Sequence, residues 1–251
     1  MRMLAKICLL CAVALSICGC GGKFEDSMFS VKKFFGAFSG PHPRELTRNA
    51  FDDTVDPDLR RKAIISLSSH QWGLTETYLD GYDVILRAEM RKPKERRDTA
   101  LMSAAIGALG RGKNPKYVKI LALALKLASS QQVRWDAAIA LDSVIGEDAI
   151  DQLCHSSDPS NEKVVDVRVA CCKALRHYQR QDVINTLISR LASEEEFSVR
   201  YRAHETLVDL CGRDFGPGYA DWVGTRLEKL KAVEAEGSGK KSMWNPINWF
   251  R

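Results

Sequence analysis

The chain has 251 residues, of which 45% are hydrophobic and 27% charged, with 17 glycines and 8 prolines. These proportions are typical of a folded globular protein and exclude a chain that is disordered throughout or built from collagen-like repeats. Its formal charge is +5, from 37 Lys and Arg against 32 Asp and Glu, which is too weakly basic to require a nucleic-acid partner. The length suits one large domain or two small ones, with a substantial core.

The N-terminus has the layout of an export signal. Arg2 and Lys6 form a basic start without acids, residues 7–18 are continuously apolar, and small residues follow. This order of regions is typical of a secretory signal peptide. The apolar stretch has 12 residues, whereas a helix that spans a bilayer needs about 20, so we do not expect a transmembrane anchor.

The segment Ile17-Cys18-Gly19-Cys20 resembles the lipobox of bacterial lipoproteins. The resemblance implies that residues 1–19 are a signal peptide cut before Cys20, that the Cys20 thiol receives a diacylglycerol, and that the new amine is acylated. Cys18 departs from the Ala, Ser or Thr usual at its position, and a plain signal peptide is the alternative. Two or more acyl chains hold a protein stably on a membrane. We therefore expect a bacterial membrane location facing out of the cytoplasm, on the outer membrane if the host is Gram-negative.

Residues 20–50 are predicted to form a tether between the lipid and the body of the protein. Met28, Val31, Phe35 and Phe38 recur at helical spacing, which fits a short amphipathic helix on the membrane surface or a helix that caps the first repeat. The Gly-Pro-His-Pro sequence at 40–43 is expected to end any such helix.

A nine-residue pattern recurs along residues 51–233. The good copies are VRWDAAIAL at 133–141, VRVACCKAL at 167–175 and VRYRAHETL at 199–207, after a fair copy, LRRKAIISL at 59–67, and a degenerate one, LMSAAIGAL at 101–109. Their starts are separated by 42, 32, 34 and 32 residues, a period typical of helical repeats. The first, fifth, eighth and ninth positions share one helical face, where small residues let a neighbouring helix approach closely. A second apolar helix is predicted after each copy, at 74–90, 117–127, 148–154, 183–191 and 219–230.

The pattern V-R-x-x-A-x-x-A-L with its second helix resembles HEAT repeats, more specifically the short bacterial HEAT-like class first known from phycobilin lyase subunits. The resemblance covers residues 51–231 and implies an all-α fold, an α-α superhelical solenoid of about five helix pairs whose concave face holds other molecules. Each unit of such an array buries its apolar side against its neighbours.

Two sets of cations are candidate contacts. An arginine takes the second position in four copies: Arg60, Arg134, Arg168 and Arg200. The resemblance implies that this ladder of arginines pairs with acids or turn carbonyls of adjacent units. Binding of an anionic ligand is the alternative.

A cationic run lies in the longest linker between copies. It is a candidate contact to anionic lipid, an acidic partner or a polyanion, or else a solvated loop, and its cations are Arg91, Lys92, Lys94, Arg96 and Arg97.

The repeats contain Cys154, Cys171, Cys172 and Cys211. They lack the C-x₂₋₄-C spacing of zinc sites, and their apolar neighbours indicate small buried hydrophobic residues. A disulfide is permitted in an exported protein, and Cys154 with Cys171 is the pair to test. Since no catalytic motif and no nucleophile–base pair is recognisable, we expect neither catalysis nor a metal or cofactor.

Residues 234–251 are predicted to be a flexible polar linker followed by an aromatic tail. The tail contains Trp244, Ile247, Trp249 and Phe250, and a solvated tail has little reason to carry such residues. They are expected to bind a partner or insert at a bilayer interface, or else to fold back and cap the last repeat.

The sequence therefore predicts a membrane-anchored, extracytoplasmic lipoprotein that acts as a non-catalytic scaffold for a protein partner in the cell envelope, without nucleic acid. The alternative is an accessory or lyase-like protein that binds a small ligand or chromophore, although export argues against it. Nucleic-acid binding by a basic repeat face would require the predicted signal to be wrong.

Overall fold

The computed structural model describes residues 43–224. These residues form eleven α-helices and five short 3₁₀ segments, and no β-strand occurs among them. The predicted all-α fold is therefore confirmed for this part of the chain. Contacts divide the chain into two units, Met1–Glu45 and Leu46–Arg251, and the packing reported below lies within the second unit.

The helices follow the predicted repeats closely. They are α1 (Pro43–Phe51), α2 (Pro57–Ser68), α3 (Glu76–Arg91), α4 (Thr99–Gly112), α5 (Val118–Leu127), α6 (Gln131–Ser143), α7 (Ile150–Ser156), α8 (Val165–Ala174), α9 (Gln181–Ser193), α10 (Phe197–Cys211) and α11 (Tyr219–Trp222). The 3₁₀ segments are Gln71–Leu74, Lys94–Arg96, Pro115–Tyr117, Glu147–Ala149 and Leu175–His177.

Local chemistry sets several helix ends. The Asp56 carboxylate accepts hydrogen bonds from two backbone N–H groups of the first turn of α2, and Pro57 takes the first helical position, where its missing N–H costs nothing. Asp98 caps α4 in the same way through the N–H of Leu101. Helix α10 ends at Gly212, whose φ of 65° is a left-handed conformation that glycine adopts readily.

The helices form two rows. The five helices with copies of the repeat (α2, α4, α6, α8 and α10) contact one another in succession and are named the A row. The intervening helices (α3, α5, α7, α9 and α11) also contact one another in succession and are named the B row. Helix α3 packs on α4, α5 on α6, α7 on α8 and α9 on α10, so each B-row helix up to α9 joins one copy of the repeat to the next.

The core lies between the rows and follows the repeat register. The leucine at the ninth position of every copy is fully buried, and the small residue at the fifth position is buried too: these are Leu67, Leu109, Leu141, Leu175 and Leu207, and Ala63, Ala105, Ala137, Cys171 and Ala203. Leu59, at the first position of the first copy, is half exposed, because α2 begins the A row and no A-row helix precedes it.

Two predicted elements differ from the structure. Of the second helix expected at 219–230, residues 219–224 are described: the helix ends at Trp222 and the chain turns at Val223 and Gly224, where the φ of Gly224 is 83°. Residues 225–230 lie outside the described residues. Trp222 is fully buried, and its Nε1 donates to the Gly216 carbonyl at 2.6 Å. At the other end, Pro43 begins helix α1 inside the segment predicted as tether, and Phe51 of α1 stacks on Tyr82 with ring centroids 5.5 Å apart.

Candidate interaction surface

The exposed face of helix α4 has smaller side chains than the equivalent face of the next A-row helix, α6. Ser103 and Gly107 occupy the third and seventh positions, where α6 has Trp135 and Ile139. A groove of about 560 Å³ therefore lies over α4, between α2 and α6. Its lining consists of Arg61 and Ile65 from α2, Gln132 and Asp136 from α6, and Thr99, Ala100, Ser103, Ala104, Gly107 and Arg111 from α4.

The groove lining contains two arginines and one carboxylate. Arg111 donates from Nε to the Ser68 carbonyl at 3.1 Å and from Nη2 to the Ser68 hydroxyl, and no carboxylate within residues 43–224 pairs with it. Burial lowers the pKa of the Arg111 guanidinium, the sign expected for a cation moved out of water. Arg61 pairs with Asp58 at 3.0 Å, and Asp136 is the one carboxylate that lines the groove.

Large apolar side chains are exposed on every second helix of the A row, α2, α6 and α10. We name Ile65, Trp135, Ile139, Phe197 and Tyr201 the A-row apolar surface. Trp135 is 37% exposed and Phe197 is 71% exposed. The Phe197 and Tyr201 rings stack with centroids 6.0 Å apart. Trp135 and Tyr201 take the third position of their copies, and Ile65 and Ile139 take the seventh. Exposed apolar patches are typical of interaction surfaces.

The B row has a smaller and more polar hollow between α5 and α7, of about 390 Å³. The exposed Leu123 lies in it beside Lys119, Lys126 and acids of the next unit. Lys119 lies 3.8 Å from Asp148, so part of this charge is compensated within the hollow. The A row therefore offers the larger and more apolar surface.

Two of the repeat arginines, which share one position in their copies, form bidentate ion pairs across the turns. Arg134 binds Glu162 through Nε at 2.6 Å and Nη2 at 3.0 Å, and Arg168 binds Glu194 at 2.8 and 2.9 Å. Both glutamates precede the next A-row helix. Each arginine also donates from Nη1 to a carbonyl in the turn before its own helix.

The first and last arginines of the ladder, Arg60 and Arg200, do not form such bidentate pairs with a glutamate. Arg200 donates to the carbonyls of Glu194 and Glu195 at 2.9 and 2.6 Å. Arg60 at the start of the row has a buried Nε without a hydrogen-bond partner within the described part of the chain. Its copy comes first, and the residues before it do not supply the turn that the later arginines use.

The cations of the run at 91–97 fall into two groups, those that bind groups of their own loop and those that are exposed. Arg97 donates to the carbonyls of Met90 and Lys92, each at 2.9 Å, and Lys92 binds Glu89 at 2.5 Å. These two cations hold the loop together. The other three cations of the run, Arg91, Lys94 and Arg96, are exposed.

The four cysteines within residues 43–224 are free thiols. Cys171, Cys172 and Cys211 are buried, and Cys154 is partly buried. Burial raises the pKa of Cys172 to about 12 and that of Cys211 to about 11. A thiol with such a pKa is a poor nucleophile near neutral pH.

Several predicted residues lie outside the described residues: Cys20, the spaced apolar residues at 28–38, and Trp244, Ile247, Trp249 and Phe250. Within residues 43–224, no group of three or more His, Cys, Asp or Glu side chains is arranged to hold a metal ion. No helix in the same range is long and apolar enough to cross a bilayer. Neither a protein-family model nor a curated protein matches the chain.

Proposed function

We propose that this protein is a membrane-anchored, extracytoplasmic lipoprotein that acts as a non-catalytic interaction scaffold. The observation that carries the proposal is the A-row apolar surface, whose exposed large apolar side chains come from α2, α6 and α10. A protein partner in the cell envelope would cover this surface and remove its apolar area from water.

The scaffold is an α-α solenoid of HEAT-like repeats in this proposal. Support comes from the succession of contacts within the A row and within the B row, and from the arginine–glutamate pairs that join one unit to the next. An array of this kind exposes a long surface built from equivalent positions, which suits recognition of an extended partner.

The lipid on Cys20 would supply the second part of the mechanism. Attachment confines the scaffold to the membrane surface and raises its effective concentration toward other membrane proteins, so that modest contacts suffice. The tail residues Trp244, Ile247, Trp249 and Phe250 are proposed as a second contact, to a partner or to the bilayer interface.

Lipidation is tested in a bacterial host with a clickable fatty acid. We expect the wild-type chain to take up the label and to remain in the membrane fraction, and Cys20→Ala to lose both. Cys18→Ala is the matched control and should keep the label. Label that remains on Cys20→Ala would contradict the proposed anchor.

Scaffolding is tested by cross-linked pull-down of the protein from membranes at its native level. We expect Trp135→Ala with Ile139→Ala to reduce recovery of the dominant envelope partner at least tenfold. Val84→Ala with Leu123→Ala removes exposed apolar groups from the B row and serves as the control. The same comparison with a chain truncated after Gly239 separates contacts of the tail from contacts of the A row. Equal recovery in all four samples would contradict recognition by either surface.

A small-ligand accessory function is the second candidate. The groove over α4 has a volume within the range of about 300–1,000 Å³ typical of small-molecule sites. An absorbance spectrum of protein purified from its own host tests it, because a bound chromophore absorbs visible light. A spectrum without visible absorbance would remove the chromophore version of this function.

A further inference from the structure

The turns of the array lie along two edges. Successive turns that lead into A-row helices contact each other, as in the ion pair of Arg168 with Glu194, and are named entry turns. Successive turns that follow A-row helices also contact each other, as in the hydrogen bond from the Tyr178 hydroxyl to the Gly146 carbonyl at 3.1 Å, and are named exit turns. We propose that the array is hinged at α4: the entry ends of α2, α4 and α6 separate and close, while their exit ends stay joined. The inference goes beyond the scaffold function and needs neither the lipid nor a partner.

The first step along the entry edge lacks the arginine–glutamate clamp of the later steps. Glu162 and Glu194, which form those clamps, each stand three residues before the next A-row helix begins. Arg96 takes the same place before α4. The arginine of α2, Arg60, therefore has a cation where its partner is expected, and its buried Nε has no hydrogen-bond partner within residues 43–224.

The second step along the entry edge lacks both members of the clamp. Helix α4 has Met102 at the arginine position, and Ala128 stands three residues before α6 begins. Neither side chain carries a charge or a hydrogen-bond donor that could form an ion pair. Two consecutive steps, into α4 and out of it, are therefore without a clamp.

The entry turn at 92–98 is instead held by its own unit. The Glu89 carboxylate accepts from the Asp98 N–H at 3.0 Å, which is the bond that the clamp glutamates make within their own turns. Its ion pair, however, is with Lys92 of the same turn. Among the described residues, the hydrogen bonds of this turn stay within residues 89–102, so none of them reaches α2 or α6.

The exit edge joins the same helices. Arg111 at the end of α4 donates from Nε to the Ser68 carbonyl at the end of α2, at 3.1 Å. At the same end, α4 and α6 approach so closely that a Cβ on Gly110 would lie 3.1 Å from the Ala140 Cβ. Helices that are joined at one end and lack such bonds at the other can pivot about the joined end, which is the geometry of a hinge.

A pivot of this kind changes the width of the groove over α4. The entry end of the groove is lined by the small side chains of Thr99, Ala100 and Ser103, so no large side chain of α4 bridges the helices there. Ser103 Oγ is buried without a hydrogen-bond partner within residues 43–224, and separation of the entry ends would expose it to water or to a ligand. A molecule that fills the widened groove would favour the open arrangement, because it binds that arrangement better.

Double electron–electron resonance of the full chain in detergent tests the hinge. Nitroxide labels on p-acetylphenylalanine replace two of Asp58, Gln132 and Ser198, exposed residues that stand directly before the first position of the copies on α2, α6 and α10. Each labelled pair spans two helix steps, about 20 Å. We expect the α2–α6 distance distribution to be about twice as broad as the α6–α10 distribution, since only the first spans the hinge. Labels at Ser69 and Ser143, exposed at the exit ends of α2 and α6, should give a narrow distribution.

Two repaired chains show whether the missing clamps permit the motion. Arg96→Glu gives Arg60 a carboxylate at the clamp position, and Met102→Arg with Ala128→Glu builds the second clamp. Each should narrow the α2–α6 distribution, and the two repairs together should reduce it to the width of the α6–α10 distribution. Lys94→Glu makes the same charge change elsewhere in the turn and should leave the width unchanged. If circular dichroism shows that Met102→Arg does not fold, Arg96→Glu, which changes an exposed residue, decides alone.

Three outcomes would overturn the proposal. These are equal widths for the two entry-edge pairs, a broad distribution at the exit edge, and an unchanged α2–α6 width in the repaired chains that fold. Because purified protein suffices here, failure of this inference is distinct from failure to recover a partner in the pull-down.

Discussion

Arg168 and Glu194 form a buried bidentate ion pair between successive A-row helices. The two side chains are 5% and 1% exposed, and both guanidinium–carboxylate bonds are shorter than 3.0 Å. The backbone carbonyl of the same glutamate accepts from Arg200 at 2.9 Å. One residue in the turn therefore binds the arginine of the copy before it through its side chain and the arginine of the copy after it through its backbone.

The same relationship holds one unit earlier. Glu162 binds Arg134 with its carboxylate and accepts from Arg168 with its carbonyl at 2.9 Å. The carboxylate of each glutamate also accepts from a backbone N–H two residues later, at the start of the next helix. Each turn is thus fixed on both sides by one glutamate.

Glu194→Gln should destabilise the protein strongly, because it leaves the Arg168 charge buried without a counter-ion. Loss of one partner of a buried ion pair costs about 3–5 kcal/mol. Glu195→Gln is the matched control, since the Glu195 side chain is exposed, and should change the free energy of unfolding by less than about 0.5 kcal/mol. Urea unfolding followed by circular dichroism measures both. Similar midpoints for the two variants would contradict a stabilising role for the pair.

The Asp158 carboxylate, which pairs with the buried Arg190, makes the stability of the fold depend on pH. Arg190 Nη2 lies 2.7 Å from Asp158 Oδ2. Burial alone would raise the pKa of Asp158, but hydrogen bonds from Arg190 and Ser160 outweigh it and lower the pKa from 3.8 to about 2. Because the folded pKa lies below the unfolded one, the carboxylate stabilises the fold fully above about pH 4, and this contribution is lost as the pH falls through 2.

Asp158→Asn should therefore lower the free energy of unfolding by about 2 kcal/mol at pH 7, at roughly 1.4 kcal/mol per pKa unit, and by more if the uncompensated Arg190 charge adds its own cost. The gap between variant and wild type should stay constant from pH 8 to pH 5 and narrow below pH 4. Asp182→Asn removes the exposed partner of Arg180 and should change little at any pH. A gap that does not narrow in acid would contradict the assignment.

Two glycines one turn apart on α4 should respond differently to the same substitution. Gly107 faces the open groove, whereas a Cβ at Gly110 would lie 3.1 Å from the Ala140 Cβ and 3.2 Å from its Cα. Gly110→Leu should push α6 away and cost about 1–3 kcal/mol through overpacking. Gly107→Leu should be neutral or stabilising by up to about 1 kcal/mol, because leucine favours helix more than glycine does. Thermal unfolding compares them, and equal losses at both sites would mean that the groove is closed in solution.

Much of this architecture is predictable from the sequence, because the repeat puts its apolar residues on one helical face. The copy at 133–141, for example, lies inside α6. The glutamates that bind the repeat arginines are harder to predict from the sequence. Glu162 and Glu194 lie 28 and 26 residues from the arginines that they bind. As polar residues, they are also not part of the periodic apolar pattern. A usable signal does exist: each stands six residues before the arginine of the next copy.

The groove over α4 is not predictable from the repeat pattern, for a different reason. The sequence marks the copy at 101–109 as degenerate because it lacks the arginine. The groove, however, arises from the small side chains of Ser103 and Gly107. These two residues take positions outside the apolar pattern of the repeat, so the pattern does not reveal them. The short α11 is likewise set by tertiary packing, because Trp222 is buried against Phe215 with ring centroids 5.0 Å apart and the chain turns directly after it.

The thiols of Cys171 and Cys172 should react with a thiol reagent only after unfolding. Cys171 and Cys172 are buried, and burial raises the pKa of both thiols, so each is shielded and protonated near neutral pH. In guanidinium chloride, the proposed lipoprotein, cut before Cys20 and lipidated there, should show four reactive thiols, and the same number after prior reduction. A count that rises by two on reduction would show a disulfide and contradict the four free thiols. Cys154→Ala, which removes the one partly exposed thiol, should lower the denatured count to three and eliminate the fastest reaction of the native protein.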